Sequence, residues 1–211
     1  MKLNRIEKFL MNNPVRSLIQ RKHEAAILEN LGGKTTGERV LEIGCGRGVG
    51  TEIIFERFRA SEVDAFDLDP KMIWIARKRL ARFTGERLRL YVGDAEQIEA
   101  EDNSYDAVFD FAIVHHIPVW QNSVREINRV LKPSGKFYFE EVTRQALDCW
   151  FYRTFLKHPA ENRFTGEEFI KQLGKNGITV GENKRYWFFN DFVVGVGTKI
   201  QELNSKQGET I

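Results

Sequence analysis

The sequence predicts a doubly wound α/β domain built on a mostly parallel sheet, and three observations carry that expectation. Short apolar runs alternate with stretches of helical periodicity from Arg39 onward. A glycine-rich turn follows the first of those runs directly. At 211 residues the chain is long enough for one well-cored domain and short for two. Strand–helix alternation of this kind puts parallel strands in one sheet with helices on both faces.

The opening segment reads as two amphipathic helices interrupted at Pro14, with Leu3, Ile6 and Leu10 on one face, then Val15, Leu18 and Ile19. Lys2, Arg5, Lys8, Arg16, Arg21 and Lys22 outnumber Glu7 and Glu24 there. A basic amphipathic helix can touch a membrane surface peripherally. The simpler expectation is a helical cap over residues 1–36, packed on a main domain of residues 37–200 with its charges in water.

Strand candidates are 40–43, 63–66, 88–92, 107–109 and 137–139. A helix over 70–83 turns Met72, Ile73, Ala76, Leu80 and Phe83 inward, with Asp69 as its cap and Pro70 in its first turn. A second, over 119–131, buries Val124, Ile127, Val130 and Leu131 and stops before Pro133. Residues 143–164 form an irregular, aromatic-rich insert with Trp150, Phe151, Tyr152, Phe155, His158 and Phe164. Thr165 and Glu168 have the spacing of a capping box for a helix running to about Lys175, closed by Gly177. Asn190-Asp191 between two apolar runs predicts a C-terminal antiparallel hairpin, and residues 201–211 a polar tail.

Composition narrows the function classes. A net charge of +2 makes no demand for nucleic acid or an acidic partner. Cys45 and Cys149 make neither a metal-binding spacing nor a disulfide framework, which fits a reducing cytoplasm. The charged first thirty residues lack the core of a signal peptide, and no apolar stretch reaches bilayer length. The expectation is a soluble, cytoplasmic protein.

The most informative stretch runs Val40-Leu41-Glu42-Ile43-Gly44-Cys45-Gly46-Arg47-Gly48-Val49-Gly50-Thr51. Alternate glycines let the backbone turn sharply and approach a ligand closely, and a turn at a strand's carboxyl end is where ligands bind in such sheets. A phosphate-cradling loop would end in Gly-Lys-Ser/Thr, which is missing. A dinucleotide fingerprint would need a third glycine at Val49 or at Thr51, and both registers fail.

What remains, Glu-x-Gly-x-Gly-x-Gly after an apolar strand, resembles the first motif of class I S-adenosylmethionine-dependent methyltransferases. The resemblance continues in order through Phe66-Asp67-Leu68-Asp69-Pro70-Lys71-Met72-Ile73 and Tyr91-Val92-Gly93-Asp94-Ala95. It goes on through Tyr105-Asp106-Ala107-Val108-Phe109 with His115-His116-Ile117, and through Arg129-Val130-Leu131-Lys132-Pro133-Ser134-Gly135. It spans roughly residues 37–142 and is nearest to the branch that methylates quinone precursors, sterols and other small metabolites. Glu42 stands where Asp is also common, and Ser134 where Gly is usual.

The resemblance implies a Rossmann-like, mostly parallel seven-stranded sheet with a C-terminal antiparallel hairpin strand, and S-adenosylmethionine as cofactor with S-adenosylhomocysteine as product. Gly44, Cys45, Gly46 and Gly48 would lie against the cofactor's methionine part, with Glu42 orienting the loop and the ammonium. Asp67 would accept from both ribose hydroxyls, since a carboxylate suits a vicinal diol. Asp94 and the Ala95 amide would meet the adenine edge, Leu68 and Met72 its faces, and Phe111 the crevice floor. Plainer roles fit some of these residues: Asp69 as a helix cap, Asp106 orienting backbone, Cys45 as a small filler, Asp67 and Asp94 as turn residues.

Methyl transfer needs alignment and exclusion of water, with no metal, and a base only where the acceptor must lose a proton. His115 and His116, beyond the fourth strand, are the base candidates, and neighbours in sequence point apart, so one at most faces the pocket. Glu140, Glu141, Tyr152 and His158 are weaker candidates. The aromatic insert suggests a planar or hydrophobic small-molecule acceptor. The competing readings are a nucleic-acid methyltransferase, through the basic cluster Arg77, Lys78, Arg79, Arg82, Arg87 and Arg89, and a catalytically silent cofactor-binding regulator. The nucleobase-methylating Asn/Asp-Pro-Pro-Tyr/Phe tetrapeptide is absent: Asp110-Phe111-Ala112-Ile113 stands in its place.

Overall fold

In the computed structural model, which describes residues 14–83, 85, 87–148, 161–187 and 190–201, the alternation becomes one twisted sheet. Its strands are β1 (Arg39–Ile43), β2 (Glu62–Asp67), β3 (Leu88–Val92), β4 (Tyr105–Phe111), β5 (Leu131–Val142), β6 (Ile178–Thr179), β7 (Lys184–Trp187) and β8 (Phe192–Lys199). The order is β3-β2-β1-β4-β5-β8-β6, with β7 pairing β8 off that path. β1 to β5 pair in parallel, and β8 runs antiparallel to β5. Seven strands lie along the path as expected, and the eighth arises because the edge beside β8 is broken. Thr179 pairs Thr198 and Lys184 pairs Gly195, so four intervening residues face only two ladder positions and must loop out.

Strand chemistry explains the burial. β1 and β4 lie in the middle of the sheet and are mainly apolar, with Val40, Leu41, Ile43, Ala107, Val108 and Phe109 fully buried. Helices α1 (Pro14–Ile19) and α2 (Ala25–Gly32) are joined by a π-helical turn over Gln20–Glu24. Beyond β1 follow α3 (Val49–Ile53), α4 (Pro70–Arg79), α5 (Trp120–Val130), α6 (Arg144–Leu147) and α7 (Gly166–Lys175). Asp69 accepts from the Lys71 amide and caps α4, which ends at Arg79, with Ala81–Phe83 continuing as a 3-10 turn. α5 buries Val124, Ile127 and Val130, and Leu131 already opens β5. The Thr165–Glu168 capping box forms in both directions, at 3.1 and 2.8 Å.

The expected hairpin forms between β7 and β8, with Asn190 at φ 74° in its turn. Of the opening helices, residues 1–13 lie outside the described residues, as do Trp150, Phe151, Tyr152, Phe155 and His158 of the insert. Two charges of the described N-terminal residues meet protein. Arg16 pairs with the buried Glu24 and Glu140, and Arg21 with Glu52 and Glu56.

The chain winds outward from β1 to β3, returns to β4 beside β1, and winds outward again. The two turns leaving β1 and β4 therefore diverge, and a crevice opens between them at the carboxyl ends of the strands.

Candidate functional site: a cofactor crevice at the β1–β4 switch point

The glycine turn leaves β1 with Gly44, Gly46 and Gly48 all at positive φ, between 52° and 82°. Each has a different use. A Cβ on Gly44 would strike Ile113 at 2.5 Å, so this glycine lets the two diverging turns touch. A Cβ on Gly48 would strike Leu80 of the α4 side at 2.8 Å, and Gly48 does not line the cavity. This glycine allows the close packing against the α4 side. At Gly46 a Cβ would meet no protein atom within 4 Å, although the residue lines the cavity. Backbone there faces space left for a ligand.

Acids on neighbouring strand ends hold the loop. Asp67, closing β2, accepts from the Gly46 amide at 2.9 Å and the Asp69 amide at 2.8 Å, one on each oxygen. Glu42 of β1 is buried and accepts from the Thr51 hydroxyl. Burial pushes its carboxyl up to about 8, the Thr51 bond opposes this, and Asp67 and Asp110 add to it. Asp94 accepts from the Glu96 amide at 2.9 Å, a local turn that leaves it exposed on the cavity rim. Burial, with Glu42 and Asp67 nearby, raises the Cys45 thiol well above its ordinary range, so Cys45 is a protonated filler rather than a nucleophile.

The cavity gathers Glu42, Gly44, Cys45, Gly46, Asp67, Leu68, Met72, Asp94, Ala95 and Phe111, all expected from sequence. His116 lines it, and His115 does not: its Nδ1 lies 2.6 Å from Glu141 in the interior. The two rings nevertheless do not point apart. They sit in a 3-10 turn over Val114–His116 with centroids 4.1 Å apart. Asp69 turns out to be both a cap and a wall residue. Sequence reasoning missed Ser17, Gln20, Gly50, Ile113 and Ile117 on the wall. Gly50 had a signal, since it continues the alternating glycines. Ser17 and Gln20 had none, because a helix arriving from elsewhere carries no local mark of what it covers.

Comparison with known proteins agrees with this geometry. Residues 41–139, from within β1 to within β5, match the family model described as a methyltransferase domain. The central part of the chain, residues 41–139, is thus similar to a methyltransferase domain. It is 31% identical over 147 residues to a demethylmenaquinone methyltransferase of Tropheryma whipplei, covering 69% of this chain and 59% of that protein. It is 31% identical over 131 residues to the phthiotriol/phenolphthiotriol dimycocerosates methyltransferase of Mycobacterium tuberculosis, covering 62% and 46%. The chain thus spans about half to three-fifths of the length of these two relatives. The fold is that of an S-adenosylmethionine-dependent methyltransferase from Mesorhizobium loti, with TM-score 0.68 at 16% identity, over 82% of this chain and 96% of that one.

Proposed function

We propose that this chain transfers the methyl group of S-adenosylmethionine to a small, largely apolar acceptor. The observation that carries the reading is the convergence on one crevice of Glu42, Asp67, Asp94 and the open side of Gly46. That set suits an amino-acid tail, a ribose diol and a purine edge laid across three adjacent strand ends. When bound, the cofactor supplies a methyl group activated by the positive sulfonium. Glu42 receives the ammonium, Asp67 the two ribose hydroxyls, and Asp94 with the Ala95 amide the adenine edge between Leu68 and Met72.

On the other side, Phe111, Ile113 and Ile117 give the acceptor an apolar wall that excludes water. His116 stands within that wall and takes the acceptor's proton where one must leave. The demethylmenaquinone and phthiotriol methyltransferases among its relatives support a lipid-like or quinol acceptor.

The basic cluster favours a small molecule over nucleic acid, because its members are engaged within the chain. Arg79 and Arg82 pair with Glu52, Arg87 donates to Ala60 and Ser61 carbonyls, Arg77 to that of Leu90, and Lys78 lies over Trp74. No helix among the described residues is long and apolar enough to cross a membrane.

Two measurements test the reading. Calorimetry with S-adenosylhomocysteine should give saturable one-to-one binding. Incubation with methyl-labelled S-adenosylmethionine and cell extract should place label in the organic-soluble fraction. Absence of heat from both cofactor and product ends the proposal, and label confined to nucleic acid redirects it.

A further inference from the structure

Beside the crevice lie three buried polar side chains that the proposed reaction does not use. Asp110 stands one residue before the end of β4, Glu141 one before the end of β5, and His115 in the turn between β4 and α5. Asp110 and Glu141 are fully buried and close enough to interact electrostatically. Burial first, then the facing Glu141, pushes the Asp110 carboxyl well above its ordinary range. Glu141 rises to about 7, also through burial, with Asp110 and the amides of Val114 and His115 opposing. Two carboxyls buried this close together disfavour the state in which both are ionised.

Glu141 spends both oxygens on the turn. Oε1 accepts from the Val114 amide at 2.7 Å and Oε2 from the His115 amide at 3.1 Å, and Oε2 lies 2.6 Å from His115 Nδ1. Asp110 accepts from the Ile113 amide at 2.9 Å. Three successive amides are therefore held by two acids. Immediately before them Ala112 sits at φ 64°, a left-handed conformation that a residue with a Cβ disfavours. Such a conformation persists only where the surroundings over-determine it.

We infer that Glu141, seconded by Asp110, is the positioning residue of the acceptor face. It locks the turn over residues 112–116, holds the His115 ring with its proton on Nδ1, and through the ring contact orients the His116 that faces the cavity. The inference rests on the reading of His116 as the acceptor's base.

The test uses full-length protein carrying 15N-labelled histidine and bound to S-adenosylhomocysteine. Long-range proton–nitrogen spectra read which ring nitrogens are protonated, and His115→Asn and His116→Asn assign the signals. Wild type should show a proton on His115 Nδ1. In Glu141→Gln, where one acceptor oxygen is replaced by a donor, that proton should shift to Nε2. With a short-chain demethylmenaquinol as probe acceptor, kcat should fall at least tenfold while KM for S-adenosylmethionine stays within threefold. Glu141→Asp, which keeps the carboxyl group, should retain more kcat than the glutamine variant.

A Glu141→Gln protein with an unmoved Nδ1 proton and wild-type kcat overturns the inference. So does a wild-type ring protonated on Nε2 alone, which decides the matter even if the variant does not fold. Wild-type kcat in His116→Asn fells the base reading instead, with the His115 ring assignment still standing on its own spectrum.

Discussion

Replacing Gly50 with alanine probes the glycine turn without removing a charge. Gly50 lies in α3, where its backbone is helical and alanine is favoured by roughly 0.5–1 kcal/mol. Propensity alone argues for a more stable protein. Space argues the reverse, since a Cβ there would lie 2.6 and 2.8 Å from the Phe111 ring and nearer still to Glu42 Oε1. Both neighbours are buried, and Thr51 holds the Glu42 carboxyl from its other oxygen. The cavity they both line is the direction left open to them.

Overpacking of this kind costs about 1–3 kcal/mol, which outweighs the helical gain and leaves a net loss of roughly 0.5–2 kcal/mol. For 211 residues that lowers the melting midpoint by about 1–8 °C. Displacing Glu42 and Phe111 into the cavity should also weaken S-adenosylhomocysteine binding about tenfold or more, which is ~1.4 kcal/mol. Thermal unfolding and calorimetry read the two effects. Gly174→Ala is the counterpart, because its Cβ meets nothing within 4 Å in exposed α7; it should gain roughly 0.5–1 kcal/mol with binding unchanged. A Gly50→Ala protein that melts and binds like wild type would refute the close approach.

Glu42 makes cofactor binding depend on pH. Its carboxyl titrates at about 8 in the free crevice, and an ammonium beside it favours the ionised form. Binding near pH 7 should therefore release about one proton, and affinity should rise up to about tenfold per pH unit until the pKa is passed. Calorimetry in two buffers of different ionisation heat counts the proton; a count of zero excludes Glu42 as the ammonium's partner. Asp67→Ala removes the anchor of the Gly46 and Asp69 amides together with the diol acceptor, so binding should fall by about a hundredfold, roughly 2.7 kcal/mol. His116→Ala should leave that affinity within a few-fold, and equal losses in the two variants would break the division of roles. Thr165→Ala removes the capping-box hydroxyl of α7 at a cost of about 1 kcal/mol, read as a lower denaturant midpoint with unchanged binding.

The cofactor side of the crevice is legible in sequence because each of its contacts is local. Glu42, Gly46, Asp67 and Asp94 sit at or just past the end of an apolar run. A parallel sheet brings those ends side by side whatever the helices between them contain. Periodicity and turn chemistry thus place the strands and the strands place the acids, while the expected ligand comes from the resemblance of these motifs to class I S-adenosylmethionine-dependent methyltransferases.

The acceptor side follows a different logic. Reading His115 and His116 as pointing apart assumes extended backbone; the left-handed Ala112 turns the chain into a 3-10 coil in which the rings meet. Glu140 and Glu141 do obey strand alternation, and for that reason serve different partners. Glu140 meets Arg16, 124 residues away in sequence, while Glu141 reaches His115, 26 residues away. No local pattern announces either pairing, because a buried acid is identified by what arrives opposite it. Ser17 and Gln20, which end as part of the cavity wall, are unmarked in the sequence for the same reason.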